Sequence, residues 1–112
     1  MIDPEPTPSY AAPTLAAIRA AVCRYYNVRE HDFLSNMRGR WIARPRQVAM
    51  YLARDLTLRS YPEIGAHFGK RDHTTIMYGV QTISHLRMRD AELARDIDTI
   101  RSVLTADEKL AA

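Results

Sequence analysis

Lys70-Arg71-Asp72-His73-Thr74-Thr75 puts two cations, a carboxylate, an imidazole and two hydroxyls into six consecutive positions. These groups suit the edges of base pairs. A carboxylate accepts from cytosine N4, a threonine methyl packs on the thymine methyl, and its hydroxyl bonds either a donor or an acceptor. Lys70 and Arg71, in front of a helix N-terminus, favour phosphate. Asp72 also has a use that needs no DNA, as a helix cap, and Thr74 and Thr75 suit any first helical turn. If a helix follows Asp72, Ile76, Val80, Ile83 and Leu86 form its apolar stripe. At 100° per residue, Thr74, Tyr78, Gln81 and His85 then share a sector of about 60° on the opposite side. A face meant only for solvent more often carries Lys and Glu. Tyr78 either reaches a sugar or stands free.

Other chemistries find no support. Four scattered His, one Cys and no paired carboxylates give neither a catalytic constellation nor metal-ligand spacing, so no enzyme, metal or cofactor is expected. Cys23, alone, excludes an internal disulfide. Gly65-Ala66-His67-Phe68-Gly69-Lys70-Arg71 superficially resembles a phosphate-binding loop. It has three residues between its glycines where four are needed, and Arg where a metal-binding hydroxyl belongs, so no nucleotide is expected.

Charge places the chemistry in one region. The chain has 112 residues and a formal net charge of +3. Residues 38–75 carry +5, and the segments on either side carry −1 each. Seven of the eight cations in this middle third are Arg, the residue suited to forked contacts with phosphate and base edges. Arg38, Arg40, Arg44, Arg46, Lys70 and Arg71 are the candidates. Six neutralised phosphates would make log K fall with log salt at a slope of about −5. The longest apolar run, Val48 to Ala53, is too short to span a bilayer. The N-terminus has no signal-peptide pattern, so the expected location is the cytoplasm.

The elements that must hold these residues read as helices throughout. Residues 1–13, with four prolines, are expected to be a flexible leader; 14–106 form the domain and 107–112 a tail. Thr14 can cap a first helix with Leu15, Ile18, Val22 and Tyr25 on one stripe, ended by Asn27. Asp32 to Leu34 suggest a helical turn, and residues 35–41 a basic loop. Pro45 marks the start of the next helix, buried through Val48, Ala49, Leu52 and Leu56. Ser60-Tyr61-Pro62-Glu63 is a capping box. Gly69 stops the short helix it begins, and Asp72 caps the following one. Leu93, Ile97, Ile100 and Leu104 stripe the last helix. The predicted fold is all-α: a small helical bundle containing a helix-turn-helix.

Three blocks carry a family resemblance. They are Arg44-Pro45-Arg46-Gln47, Tyr61-Pro62-Glu63-Ile64-Gly65, and Phe68-Gly69 followed by Arg71-Asp72-His73-Thr74-Thr75-Ile76. In order and spacing they resemble the C-terminal DNA-binding domain of the bacterial replication initiator DnaA, over about residues 14–104, with a Trp-repressor-like helix-turn-helix. The resemblance implies recognition of short, asymmetric, A·T-rich origin elements in double-stranded DNA. It implies major-groove contacts from Asp72, His73, Thr74 and Thr75, with Tyr78 where a His often makes another. Arg38 matches an Arg sent into the minor groove; Arg46, Gln47, Tyr61 and Pro62 match phosphate-holding positions. The departures are Asn36 and Met37 in place of basic residues, Trp41 in place of a small polar one, and Lys70 in place of a second turn glycine. No ATPase motif lies within these residues, so ATP-driven origin opening is not expected. The alternative function is a protein-interaction module that binds the initiator or another replication protein.

Overall fold

The structure, a computed structural model, describes residues 12–111, with side chains through Thr105. All but Ala12 and Pro13 of the expected leader lies outside the described residues. Among the described residues six helices follow one another: α1 Leu15–Tyr26, α2 Glu30–Leu34, α3 Arg40–Leu56, α4 Tyr61–His67, α5 His73–Leu86 and α6 Ala91–Ala111. No strand occurs among the described residues. The backbone of α6 continues across the tail boundary expected after residue 106.

Local chemistry sets most of the ends. Thr14 Oγ1 accepts from the Ala17 amide at 3.0 Å, and Asn27 closes α1 in the left-handed region at φ 57°. A short polar residue reaches that conformation at lower cost than most. The inner face of α1 is Leu15, Ile18, Val22 and Cys23. Tyr25, expected on that stripe, is instead 42% exposed. Near the end of α1, it turns outward to a polar partner. Its hydroxyl donates to Asp96 on α6 at 2.6 Å, beside a second bond from Tyr26 to the same carboxylate at 3.0 Å.

The start of α3 corrects a second expectation. The helix begins at Arg40, capped by Gly39 at φ 127°, and Pro45 lies inside it, buried. The Gly39 carbonyl already accepts from Ile42 and Ala43, at 3.2 and 2.9 Å. A proline near a helix start removes one backbone bond, which a helix anchored by tertiary packing tolerates. Arg40 and Trp41 therefore sit on a first helical turn rather than in a loop.

The core lies between α3 and the helices around it. Ile18, Phe33, Ile42, Leu52, Ile64, Phe68, Ile76, Ile83 and Ile100 are fully or almost fully enclosed. Phe33 and Phe68 meet edge to face, with centroids 5.5 Å apart. The most extensive packing is α3 against α5. They cross at Gly79, where a Cβ would stand 2.6 Å from Met50 Sδ. Arg19 ties α1 to its neighbours, donating to Glu30 and to the His67 carbonyl, both at 2.8 Å. Burial, then the nearby Glu30 charge, pushes the Cys23 thiol up to about 11, so it stays a protonated packing residue.

Candidate nucleic-acid interface

Helices α4 and α5 and the turn between them form the helix-turn-helix. Ser60 Oγ accepts from the Glu63 amide at 3.3 Å, and Glu63 Oε1 accepts from the Ser60 amide at 2.9 Å, so the capping box is complete. The backbone bond from Ser60 is the main reason the Glu63 carboxyl lies below its ordinary value. Tyr61, half-buried under the Arg54 guanidinium at 4.4 Å, and exposed Pro62 open α4.

The turn is tight because of Gly65. Its carbonyl accepts from the Arg71 amide at 2.9 Å, and a Cβ there would stand 2.1 Å from the Arg71 oxygen. The chain reverses through two left-handed residues, Gly69 at φ 98° and Lys70 at φ 58°. Glycine takes that conformation freely; lysine does not. Asp72 then caps α5, its carboxylate accepting from the Thr74 amide at 3.0 Å and from the Thr74 hydroxyl. Those bonds from Thr74, side chain first, hold the Asp72 carboxyl below its ordinary value.

Asp72, His73, Thr74, Thr75 and Tyr78 are all exposed, Tyr78 by 68%, and Gln81 and His85 continue the same open face. Ile76, Gly79 and Ile83 point inward. Periodicity did not single out Met77, which also breaks the surface. Nor did it single out Leu58, 97% exposed just before the capping box; a lone apolar residue in a short connection carries no signal.

The segment between α2 and α3 lies against the turn. A Cβ on Gly69 would stand 2.8 Å from the Leu34 carbonyl oxygen. Arg38 and Arg40 are exposed. Trp41, also exposed, lays its indole over Gly39, where a Cβ would come within 2.9 Å of the ring. Lys70 is exposed, Arg44 half-buried with its Nε enclosed, and Gln47 half-buried against the α3–α5 crossing.

Arg46, expected at a phosphate, is turned into the protein. It is 7% exposed. Its Nε donates to the Phe33 carbonyl at 2.8 Å, Nη1 to Met37 at 2.6 Å, and Nη2 to Asp32 and Ser35 at 2.9 Å each. All three nitrogens are committed inside the protein. Burial, then the charge of Arg71, keeps this guanidinium below its ordinary value. Arg71 is half-buried, with Nη2 donating to Phe33 and Ser35 at 3.0 and 2.8 Å. Among the described residues, no group of three or more His, Cys, Asp or Glu is placed to hold a metal, and no helix is long and apolar enough to cross a membrane.

Comparison with known proteins follows the same outline. The family model of the bacterial dnaA protein helix-turn-helix matches residues 15–83. Relatives include the chromosomal replication initiator protein DnaA of Jannaschia sp. (strain CCS1), 50% identical over 93 residues. That of Cereibacter sphaeroides (strain ATCC 17029 / ATH 2.4.9) is 53% identical over 93 residues. Each alignment takes in 83% of this chain and 20% of the relative. For the Bartonella quintana (strain Toulouse) protein the identity is 49% over 87 residues, with shares of 78% and 18%. The matched part thus spans about a fifth of the length of these initiators.

Proposed function

The chain belongs to the bacterial DnaA helix-turn-helix family, and from that membership we propose that it binds double-stranded DNA sequence-specifically, at A·T-rich initiator-type sites. The observation that carries this reading is the start of α5, where Asp72, His73, Thr74 and Thr75 stand exposed on a capped helix behind a helix-turn-helix turn. In such motifs these positions meet base edges in the major groove. Tyr78 extends the contact along the groove. Arg38 enters an adjacent minor groove, which is narrow and strongly negative in A·T tracts. Arg40, Arg44, Gln47, Tyr61, Pro62 and Lys70 face the phosphates.

The role is binding, without catalysis, metal or nucleotide, in the cytoplasm at the nucleoid. Two recognition helices cannot occupy the same stretch of major groove. A site held by this domain is closed to another recognition helix, and its occupation therefore bears on replication initiation or transcription there.

Selection of bound sequences from random duplex DNA tests the reading. An asymmetric A·T-rich consensus supports it. No enrichment would favour a protein-interaction module that docks on the initiator or another replication protein.

A further inference from the structure

Residues 32–37 turn four carbonyls, those of Asp32, Phe33, Ser35 and Met37, toward the Arg46 guanidinium. Two of them, Phe33 and Ser35, also accept from Arg71. The two cations thus share acceptors across three elements. Arg46 projects from α3. The carbonyls belong to the end of α2 and the segment leading to Arg38. Arg71 is the last turn residue before Asp72, the cap of α5.

A planar fork with five N–H donors fits several fixed carbonyls at once, which an ammonium does not. Setting a buried guanidinium beside a half-buried one of like charge opposes folding, and the carbonyls they share offset that cost. What the arrangement provides is a fixed relation between two exposed ends, Arg38 on one side and the N-terminus of α5 on the other.

We propose that Arg46 and Arg71 are positioning residues, a guanidinium brace that sets the Arg38 segment against the start of α5 so that minor-groove and major-groove contacts form together. The inference rests on the DNA-reading function proposed above. Arg71 contributes through the carbonyls it holds rather than through a phosphate.

A double-mutant cycle tests it, on the full chain with the duplex recovered by selection. Arg38→Ala and Thr74→Ala are each made in the parent, in Arg71→Met and in Arg71→Lys, and Kd is measured below every variant's melting temperature. In the parent, Arg38→Ala is expected to weaken binding about tenfold or more. In both Arg71 backgrounds that loss shrinks to within about twofold, the ordinary scatter of independent sites, while the Thr74→Ala loss is unchanged. A merely structural Arg71 lowers the melting temperature and leaves both losses intact, which overturns the brace. An Arg71→Lys background that behaves like the parent also overturns it, since charge without the fork would then suffice.

A DNA-free measurement separates the brace from the function beneath it. Trp41 is the only tryptophan and sits on Gly39, beside the braced segment. Loosening that segment by Arg71→Met should raise acrylamide quenching of its emission. Unchanged quenching overturns the brace whether or not DNA is bound. If Arg38→Ala costs the parent nothing, the minor-groove assignment fails and the proposal falls with it, even where quenching rises.

Discussion

With Nε and both Nη groups of Arg46 bonded to carbonyls at 2.6–2.9 Å, its removal is a folding event before it is a binding event. Arg46→Leu leaves the Asp32 and Met37 oxygens without this donor. It is expected to destabilise by on the order of 3 kcal/mol or more, read as a lower melting temperature in free protein. Unchanged melting with uniformly weaker DNA binding would return Arg46 to the phosphate role. Thr74 and His73 lie at the other extreme, exposed and peripheral to the core. Thr74→Ala and His73→Ala should each weaken the preferred site by about 1–3 kcal/mol and leave binding to random duplex nearly intact. Equal losses on both DNAs would remove these residues from the groove. The contrast explains what was legible. The open face of α5 follows from a period within one helix. The burial of Arg46 depends on carbonyls nine to fourteen residues away, and no local pattern encodes where those point.

At the scale of elements, short-range patterns were readable. The caps Thr14, Ser60 with Glu63, and Asp72 reach only two or three positions along the chain, so their bonds form within one turn. Pro45 misled because proline favours a helix start, whereas here it stands inside the helix and gives up one backbone bond that tertiary packing offsets. Lys70 looked like a departure in composition, and its φ of 58° gives that departure a physical meaning. Lys70→Gly should stabilise the domain by about 0.5–1 kcal/mol while removing one exposed cation. Higher melting together with weaker DNA binding is the expected pair of results. If melting does not rise, the turn is not the site of that conformational cost. Gly65→Ala should do the reverse. Its methyl would meet the Arg71 backbone oxygen at 2.1 Å, an atom that cannot swing aside, and the turn must open at about 3 kcal/mol or more.

For the molecule as a whole, the cations open to the proposed DNA contact are fewer than composition suggested. With Arg46 enclosed and Arg71 held on the Phe33 and Ser35 carbonyls, Arg38, Arg40, Arg44 and Lys70 remain. Four neutralised phosphates give a slope of log K on log salt of about −3.6, shallower than the −5 expected from six. Titration of affinity between low and physiological salt checks this. A slope near −5 would mean that Arg46 and Arg71 both leave their carbonyls on binding, and one near zero would remove the basic face altogether.

If Arg38 and α5 read DNA as proposed, the shared acceptors of Arg46 and Arg71 make the protein a gauge as well as a reader. An instrument that touches a helical track at two points with a fixed gap measures phase. One base pair inserted between the tract taken by Arg38 and the pairs taken by α5 moves them apart by about 3.4 Å and turns them by about 35°. A flexible connection would absorb that; a rigid gap cannot. Binding to such a stretched site is expected to fall to the level of the Arg38→Ala variant on the intact one, and Arg38→Ala should weaken it no further. Undiminished binding to the stretched site would show that the gap gives. With a rigid gap, spelling and spacing become one property of the target, and a sequence with every correct letter in the wrong phase is a different word.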